Sequence, residues 1–425
     1  MAQESNSEIW DVIVVGGGAA GLMTAASAIR SGRSVLLIEK NNKLGVKILM
    51  SGGTRCNITH ACDRADIVKA FGRQGKFLHS SLAALPPDEV VSMIESQGVA
   101  TKVEAGGKIF PCSDRAIDVR DALVRLATDS SQPGQCQLRT GVSCKGITKS
   151  GEVFLVATSR DNYQSKAVVL TTGGMSYPGC GTTGDGYGWA KAFGHSIVNP
   201  VAALTPIVND HCWSRSLKGT TFPRVTTKIE DVANGKSGKR KALDQREGGF
   251  LFTHFGYSGP SVLDISRTVA QHPTPGNLTL VCDFDPETKQ EALAQDISNS
   301  MKQRPKQTVL NVLADRFTRR FVESALSELK IAVDQKAGEV SKHQIAAIVD
   351  LIKRSRFPVG GTYGFKKAEV TAGGVDLREV DSSTMESKIQ PGLFFAGEIL
   401  DLDGPIGGYN FQSAFSTGWL AGLSC

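Results

Sequence analysis

No apolar run in this 425-residue chain approaches the about 20 residues that a membrane-spanning helix needs. The first residues, Met1 to Ile9, are polar and hold two glutamates, so they lack the basic start and apolar centre of a signal or transit peptide. Nine cysteines include no Cys-x-x-Cys pair, and seven scattered histidines show no His-Glu-x-x-His spacing. Those absences argue against a disulfide framework and a zinc site, and no metal is expected. Reduced thiols in a reducing compartment fit better, and the expected location is cytoplasmic. Charge is also scarce as a signal: a net +6 is informative only if the bases cluster. A second Gly-x-Gly-x-x-Gly would mark a dedicated nicotinamide domain, and none is expected.

What is present is concentrated at the start. Val12 to Val15 is a short β-branched run that stops at Gly16-Gly-Gly18-Ala-Ala-Gly21. A strand buried on both faces of a parallel sheet reads this way. Gly16 permits the tight turn, Gly18 lets a pyrophosphate approach the backbone, and Gly21 lets the next helix sit close to the strand. That helix, with Ala19 and Ala20 in its first turn, offers N–H groups and partial positive charge to a diphosphate. A second strand, Ser34 to Ile38, delivers Glu39 to a ribose hydroxyl, with Lys40 next to it. Glu39 favours an unphosphorylated adenosine ribose, so FAD or NAD rather than NADP. The motif alone does not separate those two.

Further along, Lys43 to His60 is too glycine-rich for a helix or strand and reads as a ligand-contacting loop. Asp66 to Ser81, Pro87 to Gln97 and Arg115 to Ala127 have helical spacing. Cys136 to Val156 alternates as antiparallel strands or a meander beside the main sheet. Val168 to Gly174 returns to that sheet, with Thr172, Gly173 and Gly174 near the cofactor backbone. After about residue 195 the character changes: Thr220 to Ile229, Gly249 to Thr253 and Leu278 to Phe284 read as a separate β unit. Residues 285–356 read as a helical unit interrupted near Pro305. Glycine-ended strand runs then return at Ala368 to Val375 and at Leu393 to Glu398. A glycine loop and a small-residue helix, Ser413 to Leu423, follow. The simplest organisation is α/β: a Rossmann-type FAD-binding domain formed by both chain ends (1–195 and 357–425), with an inserted β unit on the substrate side (196–284) and a small helical unit (285–356). The C-terminal loop and helix would enclose a flavin ring, an element that an NAD site does not need.

Five stretches carry a resemblance. They are Asp11 to Gly21, Lys47-Ile-Leu-Met-Ser-Gly-Gly-Thr-Arg-Cys-Asn57, Gly173 to Pro178 with Thr183 to Tyr187, Phe252-Thr-His254-Phe-Gly-Tyr-Ser-Gly-Pro260, and Ala368 to Ala421. In these the chain resembles the BaiN/RdsA-type (YhiN-like) family of NAD(P)/FAD-dependent oxidoreductases, nearly end to end. Thr54 departs from the pattern, standing where the family would have glycine. Lys47, Ser51, Gly52, Gly53, Arg55, Cys56 and Asn57 are expected along the flavin and its diphosphate. Gly397, Glu398, Asp401, Gly408, Tyr409, Asn410 and Phe411 are expected at its ring and ribityl end. Val142 would place a main-chain group near adenine. Cys56 is a candidate general acid beside the flavin, or else a small buried hydrophobe. His254 would orient substrate or move a proton, or else is a satisfied core histidine.

The resemblance implies a FAD-dependent reductase that draws hydride from NADH or NADPH as a transient donor and passes it to an activated C=C. Two substrate classes come with it: a uridine in 23S ribosomal RNA, giving dihydrouridine, and a steroid-like enone. Bases at Lys302, Arg304, Lys306, Arg316, Arg319, Arg320, Lys353, Arg354 and Arg356, with Lys236 to Lys241, read either as a solvated face or as phosphate contacts to ribosomal RNA or its precursor. Trp213, Arg215, Lys218 and Arg224 would extend that face. A flavin-containing protein that docks on RNA or a partner without turnover is the rival reading, and an oxidase or monooxygenase is another. No membrane partner is expected.

Overall fold

The computed structural model describes residues 9–209, 215–232 and 242–425; Cys212, Trp213 and the basic stretch Lys236 to Lys241 lie outside them. The chain divides into two compact units, 1–201 with 369–425, and 202–368.

The first unit is built on strand β1 (Ile9–Val15), followed by helix α1 (Ala19–Arg30) and strand β2 (Ser34–Glu39). β1 lies between two parallel neighbours, β2 and Asn162–Leu170, and Val12 to Val14 are completely buried. That burial on both faces is why the run carries no polar alternation. Gln135–Thr140 pairs parallel with β2, so it belongs to the main sheet and not to the meander expected from Cys136 onward. The meander proper is Cys144–Ser150, Val153–Thr158 and Asn162–Leu170. Leu393–Phe395 joins parallel to Asn162–Leu170, so the end of the chain completes the first sheet. Val370–Val375 does not join it: it forms a two-stranded sheet with Ile197–Ala203. Gly373 packs so tightly there that a Cβ would stand 2.5 Å from the Asn199 carbonyl oxygen.

Register aligns Val15 with Ile38 and Leu170, and Leu170 with Phe395. The chain therefore leaves these four of the sheet's five parallel strands at one edge, where it turns into Gly16–Gly18, Glu39, Thr171–Gly174 and Gly397. Ligands of open α/β sheets bind at that carboxyl edge. Gly179, Gly181 and Gly184 do repeat the fingerprint spacing, contrary to the expectation of none, but Gly179 lies within the short 3₁₀ turn Pro178–Cys180 and no strand leads directly into it.

Behind the sheet, His195 is buried with its Nε2 2.7 Å from Ser387 Oγ and its ring edge-on to Phe395. Burial lowers its pKa from the usual 6.5, partly opposed by Glu379 Oε2, 3.3 Å from Nδ1. Below pH 6.5 the unfolded chain takes up a proton that the folded one resists, so stability is present above that pH and falls as pH drops through the lowered value. Melting midpoints measured from pH 7.5 to 5 should decline on the acid side, and His195→Gln should flatten the decline; parallel profiles would reject the assignment.

In the second unit a seven-stranded sheet runs in the order Ser355–Pro358, Leu278–Asp283, Thr221–Asp231, Ala242–Phe252, Gly256–Ser258, Ile207–Val208, Gly361–Thr362. The helices Gln290–Gln303, Val309–Ala314, Arg319–Glu328 and Lys342–Arg354 share its core. Phe321, on the third of these helices, meets Phe222 at 4.9 Å and Phe284 at 5.1 Å between ring centres. Expected β and helical units at 196–284 and 285–356 are thus one body. Its end shifts from 356 to 368, with Ser355–Pro358 pairing with Leu278–Asp283 and Gly361–Thr362 with Ile207–Val208. The helix Pro260–Gln271 was not foreseen from the sequence.

Candidate active site

Gly18 caps α1 at its N-terminus with no side-chain cap and no acid in the first turn. The N–H groups of Ala19 and Ala20 then have no intrahelical acceptor, and the positive end of the helix dipole faces outward. A Cβ on Gly18 would meet nothing within 4 Å, whereas one on Gly21 would stand 1.9 Å from the Gly16 carbonyl oxygen. One glycine keeps space for a ligand and the other closes helix onto turn. The buried Glu39 accepts from Gly17 N at 2.8 Å and from Asn41 N at 2.7 Å. Both oxygens are thereby aimed, and each keeps a lone pair for a ribose hydroxyl. Val142 donates its N–H to the Glu39 carbonyl at 3.0 Å, leaving only its carbonyl for adenine. Lys40 reaches Thr183 and Asp185 at 2.7 and 2.6 Å, which occupies the ammonium with a neighbouring loop.

Lys47 meets Glu398 and donates to Ser176 Oγ at 2.6 Å, and Ser176 donates to Glu398 Oε1 at 2.5 Å. Thr371 N donates to the same carboxylate oxygen at 2.9 Å, and Thr371 Oγ1 accepts from Met175 N and Ser176 N. This cluster ties four distant segments at the sheet edge. Lys47 and Glu398 were read from the sequence; Ser176 and Thr371 were not, since only folding joins them. Buried Asn57 Oδ1 and Thr172 Oγ1 have no hydrogen-bond partner. A buried unpaired polar atom costs about 1–3 kcal/mol, a deficit that a bound polar ring system would relieve. The open Gly18 cradle and these orphaned atoms fit a dinucleotide with a second, hydrogen-bonding ring.

Other residues of this loop differ from expectation. Arg55 pairs with Glu104 at 2.8 Å and Asp114 at 3.2 Å and lies over the Phe110 ring, so its guanidinium serves the loop rather than a diphosphate. Cys56 is 0% exposed in the main core, and burial pushes its thiol up to about 12. That sealed position is a packing residue's, and it corrects the expectation of a proton donor facing substrate. Ser51 donates to the Ile48 carbonyl, holding the turn into Gly52 and Gly53. Thr54 has φ +69°, a left-handed conformation that a β-branched residue adopts only under strain. Relief of about 1–2 kcal/mol of strain should outweigh the about 0.5–1 kcal/mol entropic cost of glycine, so Thr54→Gly should stabilise the protein by up to about 1 kcal/mol. A raised denaturant midpoint at unchanged slope would show it; a lowered midpoint would refute it.

The C-terminal loop is held from three sides. Gly397 N donates to Thr417 Oγ1 at 3.0 Å, Gln74 donates to the Asp401 carbonyl at 2.7 Å, and a Cβ on Gly408 would stand 2.5 Å from the Thr59 carbonyl group. Asn410 donates to the carbonyls of Gly404 and Pro405 and accepts from Gly404 N. Asn410 lies in the first turn of the final helix, Tyr409–Ser424, and with its donors committed to the preceding loop it shapes that loop, a different role from the ring contact expected. Phe411 stacks on Phe415. Tyr409 stacks on His60 at 4.7 Å, and His60 Nδ1 lies 3.0 Å from the Gly407 carbonyl. His60 was not singled out from the sequence; its position three residues after Asn57 was the available signal.

His254 lies in the second unit, exposed, in the turn between Ala242–Phe252 and Gly256–Ser258. The expected basic face there is largely neutralised. Arg304 pairs with Asp315, Arg316 with Asp285 (2.6 Å), Arg319 with Glu323 (3.1 Å), Lys353 with Asp283 (2.6 Å), Arg354 with Asp350 (2.7 Å) and Arg356 with Glu230 (2.7 Å). Arg320 donates to the carbonyls of Ser216 and Lys218. Of the nine, Lys302 and Lys306 alone show no such partner among the described residues. Among those residues, too, no helix is long and apolar enough to cross a membrane.

A mixed sheet with one glycine cradle at the carboxyl edge of its parallel strands, closed by a C-terminal loop and helix, defines the chain as a Rossmann-type, FAD-dependent oxidoreductase. It belongs to the HI0933-like protein Rossmann domain family, which it matches over residues 10–424. It is 32% identical over 418 residues to the ribosomal RNA dihydrouridine synthase of Escherichia coli (strain K12), covering 97% of each chain. Identity to the Haemophilus influenzae protein of the same name is 33%, over 98% of this chain and 99% of the other. A 3-dehydro-bile acid delta(4,6)-reductase of Clostridium scindens is 29% identical, over 96% and 97%. Among solved structures, a 3-ketosteroid delta1-dehydrogenase from Sterolibacterium denitrificans is similar in fold alone, with TM-score 0.50, 14% identity, and coverage of 97% and 98%.

Proposed function

We propose that this chain reduces a uridine of large-subunit ribosomal RNA to dihydrouridine, drawing hydride from NADH or NADPH. What supports the reading is the similarity to two ribosomal RNA dihydrouridine synthases along 97% or more of both chains. FAD, when bound, supplies the hydride transfer between a nicotinamide and an activated alkene. The chain's own residues hold it: Gly18 and the first turn of α1 at the diphosphate, Glu39 at the ribose, and the Gly52 to Asn57 turn with the Asp401 to Tyr409 loop at the ring end. Reduction of a C=C needs a proton as well as a hydride. Of the two side chains expected to move one, Cys56 is sealed in the core, and His254 is the remaining candidate on the resemblance alone. An RNA substrate places the protein in the cytoplasm.

A steroid-like enone is the second reading, favoured by the full-length similarity to the bile acid reductase. Nucleoside analysis of ribosomal RNA from a deletion strain separates the two: loss of a dihydrouridine is expected, and an undiminished level would reject the RNA substrate. NADH and NADPH are distinguished by anaerobic mixing, where the physiological donor should bleach the flavin band rapidly.

A further inference from the structure

The bases that composition made conspicuous lie in the second unit and are mostly engaged by nearby acids. A different group is not. In the first unit, Arg64, Lys69, Arg73 and Lys76 are exposed, and no hydrogen bond or ion pair of their side chains is found among the described residues. Asp63 and Asp66 flank Arg64 and precede the other three, with Asp63 receiving the Asp66 N–H as a helix cap. None of residues 67–87 is acidic.

The segment is rigid. Helix Arg64–Ala70 ends in a turn in which Gly72 N donates to the Lys69 carbonyl at 3.0 Å and Gly75 N to the Gly72 carbonyl at 3.2 Å. Gly75 sits so close beneath Val68 that a Cβ would be 1.9 Å from the Val68 carbonyl oxygen. Lys69, Arg73 and Lys76 are therefore displayed from one tight bend. That bend is seated on the C-terminal loop: Gln74 donates to the Asp401 carbonyl, and Phe71 packs where a Cβ on Gly404 would be 2.8 Å from its ring.

We propose that the bend from Arg64 to Lys76 is the surface that grips the phosphate backbone of an RNA substrate beside the site; this rests on the reading of an RNA substrate given above. Cations with no acid to satisfy them, fixed next to the loop assigned to the flavin ring, are placed to hold neighbouring phosphates while one base is presented. Phosphate contacts of this kind position a nucleic acid without reading its sequence.

The test is salt-dependent binding of a uridine-containing fragment of large-subunit ribosomal RNA to the FAD-loaded protein, followed by fluorescence anisotropy. The triple variant Lys69→Gln, Arg73→Gln, Lys76→Gln should bind at least about tenfold more weakly at physiological salt, and its slope of log affinity against log salt should shrink by about 2, three contacts at about 0.7 each. Thermal midpoint and flavin spectrum report that the fold is kept. Lys302→Gln with Lys306→Gln should leave affinity and slope as they were. If the wild-type protein binds the RNA and the triple variant keeps its affinity and slope, the surface is wrong and the substrate reading stands. If the wild-type protein binds no RNA, both fall. Binding to phosphatidylglycerol vesicles that the triple substitution abolishes, with RNA binding untouched, would assign the bend to a lipid surface and overturn the proposal.

Discussion

Gly18→Val should yield a folded protein that purifies without FAD and takes up added FAD at least about 100-fold more weakly, about 2.7 kcal/mol. Gly18 has φ −84° and ψ −165°, extended backbone open to any residue, and a Cβ there meets no protein atom within 4 Å. The stability of the cofactor-free protein should therefore change by less than about 0.5 kcal/mol. The added methyl groups stand where the diphosphate has to approach the α1 N–H groups. Gly21→Ala is the contrast: its methyl carbon would be 1.9 Å from the Gly16 carbonyl oxygen, so it should lower the melting temperature of the cofactor-free protein as well. Flavin absorbance per chain and melting of both proteins without cofactor decide the matter. A Gly18→Val protein that stays yellow would remove the cradle from the argument.

Gly418→Val is the second change with a large effect, and it acts through helix packing behind the cradle. The final helix, Tyr409–Ser424, lies directly on α1. A Cβ on Gly418 would be 2.3 Å from the Ala20 carbonyl oxygen, and one on Gly422 would be 2.0 Å from Ser27 Oγ and 2.3 Å from the Thr24 carbonyl oxygen. The separation of two helices is set by the side chains between them, and at Gly418 the contact is with backbone alone. Backbone atoms cannot turn aside as a flexible side chain can, so the helices must part. Overpacking of this kind costs about 1–3 kcal/mol where neighbours can adjust, and more is expected here. Because α1 carries the cradle and the final helix carries the closing loop, FAD affinity should fall together with stability, unlike at Gly18. Equilibrium unfolding of Gly418→Ala and Gly418→Val should show graded destabilisation, and a Val variant as stable as the parent would refute the close contact.

Both changes concern features visible along the chain in different degrees. The glycines of the opening turn, the buried strand before them and Glu39 after them are neighbours in sequence, and each is specified by local backbone need, so the nucleotide cradle was readable without a structure. The helix at residues 116–127 and the closing strand and helix were readable for the same reason, through periodicity and glycine stops. Gln135–Thr140 was assigned to the wrong partner and Val370–Val375 to none, because a short apolar run states that it is a strand and not which edge will accept it.

The sequence by itself determined the nucleotide cradle and the α/β architecture, since these rest on residue types at short, fixed spacings. Only the tertiary structure decided what individual side chains can do. Cys56 loses its chemistry to complete burial, Arg55 to Glu104 and Asp114, and Arg356 to Glu230, 126 positions away. Lys47 and Glu398, 351 positions apart, become one ion pair. Burial and pairing are properties of what the fold brings near a residue, and no local pattern encodes the neighbour that arrives from the other end of the chain.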